Sequence, residues 1–103
     1  METQSSAIAK LNDEFRHTGF TFLFTPGARG LGDDKALLAA IRSFDSFSED
    51  NDPYGEHDFG SFELFGETLF WKIDYYNDDL SAWCDPLDPA CKRALTLMLA
   101  EEY

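Results

Sequence analysis

Residues 44–62 read FDSFSEDNDPYGEHDFGSF. Six carboxylates, those of Asp45, Glu49, Asp50, Asp52, Glu56 and Asp58, share this stretch with His57 and with no lysine or arginine. Three kinds of chemistry could use them. Carboxylates spaced around a glycine can hold calcium, a histidine between carboxylates can move protons, and unpaired surface carboxylates can meet a cationic partner.

The calcium pattern is incomplete. Asp50 and Asp52 take the first and third positions of such a loop and Gly55 the sixth, but the fifth is Tyr54 and the twelfth is Ser61. Two diagnostic ligands are missing and Pro53 interrupts the loop. The alternative is a turn in which Asn51-Asp52-Pro53 sets the backbone and the carboxylates cap nearby amides. A catalytic use of His57 would enlist its neighbours Glu56 and Asp58. Adjacent loop residues need not face each other, and neither a serine nucleophile elbow nor a metal-binding histidine pair accompanies them. We therefore expect His57 to hydrogen-bond within its loop and pin it to a sheet. Cys84 and Cys91 read as reduced structural thiols, and with the distant His17 and His57 they make a poor zinc set. The run FWKIDYY could stack bases, yet Asp74, Asp78 and Asp79 around it would repel phosphate. It reads as a core hairpin, with Tyr75, Tyr76 and Trp83 as possible anchors for a partner. No enzyme activity, cofactor or metal is expected.

Charge placement carries more information than charge total. The chain has a formal net charge of −12. From Asp45 to Asp88 there are thirteen acidic residues against one basic residue, Lys72, while the rest of the chain is balanced at seven of each. Direct binding of nucleic acid through a basic face is excluded, because phosphate contacts need lysine and arginine. A cationic partner is favoured. With 103 residues, of which 44% are hydrophobic, the chain is expected to form a single domain over residues 1–103 around its own core. No apolar run suits a membrane span, and METQSSAIAKLNDEF lacks the features of a secretory signal, so a cytoplasmic protein is expected.

Positioning elements follow from periodicity. Residues 5–17 predict a helix capped by Ser5 or Ser6, with Ile8, Leu11 and Phe15 on its buried side. FTFLFT, 20–25, predicts a strand with two apolar faces, hence a central or covered one. PGARGLG, 26–32, predicts a loop, too far from a nucleotide-binding pattern to carry weight. Asp33 or Asp34 caps a helix to about Phe44 that buries Leu37, Leu38, Ile41 and Phe44. Residues 59–76 predict a hairpin turning at Phe65-Gly66, which sets Phe62 against Leu69 and Glu63 against Thr68. Phe62, Leu64, Leu69, Trp71, Ile73 and Tyr75 then share the core face, and Phe70 is the exception on the wet face. NDDLSAWCDPLDP, 77–89, is a second acidic loop. Asp88 with Pro89 predicts the cap of a last helix, with Cys91 in its first turn. The order α-β-α-β-β-α gives an α+β fold: a small antiparallel sheet of about three strands, including the 59–76 hairpin, against about three helices.

FDSFSEDNDPYGEHDFGSFELFGETLFWKIDYYNDDL, with IAKLNDEFR upstream and LTLMLAEEY at the end, resembles the bacterial domain-of-unknown-function family 3768. The resemblance implies a small single-domain protein, often encoded on plasmids or other mobile DNA, and supplies no activity and no catalytic residue. The chain departs from the family pattern at the hairpin turn, where Phe65-Gly66 replaces a more usual Asp-Gly. Short acidic proteins of mobile elements resemble, in size and charge, inhibitors such as anti-CRISPR and anti-restriction proteins. CRISPR effectors hold nucleic acid in positively charged channels. The expectation is therefore an acidic, DNA-mimic-like face that binds the basic surface of a nucleic-acid-binding defence complex. Glu49, Asp50, Asp52, Glu56, Asp58, Asp74, Asp78 and Asp79 are the residues expected to form it. The alternative is an uncharacterised bacterial protein in which residues 49–58 are a structural or metal-binding loop.

Overall fold

The hairpin organises the fold. In a computed structural model, which describes residues 3–103, β2 (Phe59–Leu64) and β3 (Glu67–Tyr76) pair antiparallel with Phe62 opposite Leu69 and Glu63 opposite Thr68, the register expected from the sequence. Phe65 and Gly66 form the two-residue turn at φ of 55° and 77°. Both values are positive, as a turn that matches strand twist requires. The side-chain alternation of β3 buries Leu69, Trp71, Ile73 and Tyr75. Gly60 makes room for the Trp71 indole, since a Cβ there would lie 2.3 Å from Nε1.

The sheet has four strands in the order β1-β4-β3-β2. β1 (Phe22–Phe24) runs parallel to β4 (Lys92–Leu99), so the sheet is mixed and has one strand more than expected. The α+β class holds. β1 is an edge strand, contrary to the central or covered position its two apolar faces suggested, and Leu23 is exposed.

The largest correction is the last element. Residues 92–99 form a strand where the sequence predicted a helix. Asp88 caps no helix: its Oδ1 accepts the Ala90 N–H at 2.9 Å and its C=O accepts the Cys91 N–H at 2.9 Å, which closes a single tight turn. That turn ends at once, so Cys91 sits in no helix. β4 lies between two neighbours, with Leu95 and Leu97 against the core and Ala94 and Met98 buried on the other face. A strand covered on both faces loses its period of two, and its pattern then reads equally well as a buried helix.

Helices cover one face of the sheet. α1 (Gln4–Thr18) is capped by Thr3, whose Oγ1 accepts the Ser6 N–H while Ser6 Oγ accepts the Thr3 N–H in return. PGAR, expected as loop, makes a one-turn helix, α2 (Pro26–Arg29), with Pro26 at its first position and Thr25 as cap. α3 (Asp34–Ser43) is capped by Asp33 and buries Leu37 and Ile41, with Phe44 buried just beyond it. Leu37, Ile41, Phe44, Trp71, Leu95 and Leu97 centre the core. The opposite sheet face carries Phe70 in an aromatic cluster with Phe59 and Tyr103, ring centroids 5.3–6.1 Å apart. No helix among the described residues is long and apolar enough to cross a membrane.

Candidate partner-binding face

α1 turns a polar side inward. Asn12 is fully buried and Arg16 is 2% exposed, whereas Leu11, expected on the buried side, is exposed. These polar residues fix the acidic loops. Arg16 donates to the C=O groups of Ile41 and Phe44, both at 2.9 Å, and to Asp13 Oδ1 at 2.9 Å. Its guanidinium lies 5.3 Å from the Phe47 ring centre and 5.2 Å from that of Trp71. The end of α3 and the start of the first acidic loop are thereby tied to α1.

His57 continues the chain of contacts. Its Nδ1 is 2.9 Å from Asp13 Oδ1 and its Nε2 is 3.6 Å from Asp52 Oδ2. The imidazole stacks on Phe47 at 3.8 Å, nearly coplanar. The histidine thus pins the loop to helix α1, not to the sheet as expected, and its carboxylate neighbours are Asp13 and Asp52, not Glu56 and Asp58. Asp52 is only 8% exposed, and its Oδ1 accepts the N–H groups of Glu56 and His57 at 3.1 Å. Its placement among the face residues is corrected: this carboxylate caps its own turn. Among the described residues no three His, Cys, Asp or Glu side chains are grouped to hold a metal ion. Cys84 and Cys91 are free thiols. Burial and the nearby Asp88 carboxylate push the Cys84 thiol pKa up.

Asn12 joins the two acidic loops. Its Nδ2 donates to Glu56 C=O and to the Tyr75 hydroxyl, both at 2.9 Å, and its Oδ1 accepts from Arg93 Nε at 2.6 Å. Arg93 in turn donates to Pro86 C=O at 2.8 Å, in the second loop. Neither Asn12 nor Arg93 was legible as a site residue. The one available signal, a polar residue at helical spacing from Ile8, is usually that of a solvated face.

The loops meet at the edge of β3. The Ile73 N–H donates to Asp58 C=O at 2.9 Å, and the Tyr75 C=O accepts from Cys84 at 3.4 Å. Tyr76 and Trp83 pair there as an isolated antiparallel bridge. A cleft of about 480 Å³ there is lined by Asp58 and Asp74 together with Ser81, Ala82 and Trp83. Burial, then the charges of Asp52 and Asp74, raise the Asp58 pKa, with its own N–H and His57 acting the other way. Burial, then Asp58 and Asp52, raise that of Glu56.

Of the other expected residues, Glu49, Asp50, Asp78 and Asp79 do not line the cleft. Glu49 and Asp50 are exposed on the first loop. Asp78 is exposed, 3.8 Å from Lys92, and Asp74 lies 3.1 Å from Lys72. Asp79 is held low in pKa by the Ser81 hydroxyl and N–H. The arrangement is an α+β fold in which the carboxylates come from two loops and one strand. Residues 24–102 match the model of a family described as a protein of unknown function (DUF3768), and the chain belongs to that family. No curated protein and no solved structure matches it.

Proposed function

We propose that this protein is a binding protein, not an enzyme, whose acidic face docks on a basic protein surface. The finer reading is inhibition: the face occupies the nucleic-acid groove of a DNA-targeting defence complex, such as a CRISPR effector, and carboxylates stand in for phosphates. The observation that carries the proposal is the meeting of the two acidic loops at the β3 edge, where one cleft is lined by Asp58, Asp74 and residues 81–83. Charges scattered over separate surfaces would offer no groove a continuous partner. Mutual repulsion of this kind lowers stability, and a cationic partner would relieve it. Asp52 and His57 are left out of the face, because their polar atoms are engaged in holding the loop.

The test is capture of purified CRISPR and restriction complexes on the immobilised protein at low and high salt. Capture is expected at low salt, competed by DNA and lost above roughly 0.5 M salt, where exposed charges are screened over a few ångströms. It should also fail when Asp50, Asp78 and Asp79 are all changed to Asn. Capture that ignores both salt and these changes would refute a charge-based role.

A further inference from the structure

Trp83 is 70% exposed, in a loop whose neighbours are carboxylates. An indole so placed leaves most of its apolar surface in water. It does line the β3-edge cleft together with Tyr76, Asp58 and Asp74. The cleft exists because the ladder on this edge of β3 is interrupted. Asp58 closes it on one side through Ile73, and Cys84 closes it on the other through Tyr75. Asp58 is half-buried and makes no ion pair and no hydrogen bond to another side chain among the described residues. Aromatic walls, the unpaired Asp58 carboxylate and an interrupted strand edge present faces and acceptors; no lysine or arginine lines the cleft, and Asp74 already has Lys72 at 3.1 Å, a pair that an incoming cation would have to share or displace.

We infer that this cleft takes the guanidinium of an arginine side chain from a partner protein. A guanidinium is planar, stacks on an indole face and spreads five donors in one plane, so it can lie against Trp83 while donating to Asp58 and Asp74. The volume lies within the roughly 300–1,000 Å³ usual for small-ligand sites. An ammonium offers a point charge and uses the aromatic wall less well. The inference rests on the acidic-face reading above and names the anchor within it.

Two peptides, acetyl-Gly-Arg-Gly-Arg-Gly-amide and its lysine counterpart, titrated at low salt into ¹⁵N-labelled protein, test both ideas. The arginine peptide is expected to shift the Trp83 indole N–H and the Asp58 and Asp74 amides saturably, about tenfold more tightly than the lysine peptide. Asp58→Asn and Asp74→Asn should each weaken it at least about fivefold with the spectrum otherwise intact, and Glu67→Gln, on the exposed hairpin, should not. Equal binding of the two peptides would overturn the arginine assignment. Shifts confined to Glu49, Asp50, Asp78 and Asp79 would overturn the cleft and leave the acidic face standing. No shift with either peptide would overturn both.

Discussion

Arg16 shows how much one side chain carries here. A buried guanidinium costs desolvation, which three hydrogen bonds and two aromatic faces offset. Removing it strands the Ile41 and Phe44 carbonyls at the end of α3. Arg16→Met is expected to cost about 3–5 kcal/mol in urea unfolding, and Arg16→Lys should recover less than half, because an ammonium cannot fork. A loss below about 1 kcal/mol would mean that water replaces the guanidinium. Tyr75 gives the residue-scale pH test. Burial first, then Asp58 and Glu56, push its pKa up to about 12, against the Asn12 hydrogen bond and Arg93. An unfolded tyrosine ionises near 10, so between those values the folded chain keeps a proton that the unfolded chain has released. The contribution of this group to stability is therefore complete below about pH 10 and is lost as pH rises toward 12, by roughly 2–3 kcal/mol. Denaturation midpoints from pH 9 to 11.5 should fall less steeply in Tyr75→Phe than in the parent.

At the scale of elements, the hairpin turn is the place where sequence and conformation disagree. Phe65 holds a φ of 55° with an exposed ring, a conformation that asparagine tolerates better than a bulky side chain. Phe65→Asn is expected to raise stability by about 0.5–1 kcal/mol with an unchanged denaturant slope. A loss would show that the ring packs on something that matters. The hairpin was legible because its alternation and turn are local. β4 was not, because its sheet neighbours β1 and β3, and the residues Leu37, Ile41 and Phe44 that pack in the core with Leu95 and Leu97, are all distant in sequence. The Asp88-Pro89 signal marks a tight turn before a strand, not the start of a helix.

For the whole molecule, the charge imbalance of residues 45–88 becomes a physical load once the two loops are brought together. Raising salt from about 10 to 200 mM should stabilise the protein by on the order of 0.5–1 kcal/mol, as the Debye length shrinks from roughly 30 to below 10 Å. Replacing Glu49, Asp50, Asp78 and Asp79 by their amides should flatten that dependence. Stability that falls with salt would mean that ion pairs such as Lys72–Asp74 and Lys92–Asp78 outweigh the repulsion.

Composition and local pattern determined the α+β class, the hairpin with its register, helices at about residues 5–17 and 34–44 with Asp33 capping the second, and the acidity of two loops; the first helix is capped by Thr3, not by Ser5 or Ser6. Each depends on neighbours within a few positions. Only the tertiary structure decided that β4 is a strand and β1 an edge, that Asp52 turns inward, and that Asn12 and Arg16 face the core. It also decided that Asp58, Asp74 and Trp83 line one cleft. These depend on contacts between residues dozens of positions apart, such as Asn12 with Glu56, Tyr75 and Arg93, and long-range burial leaves no periodic trace in the chain.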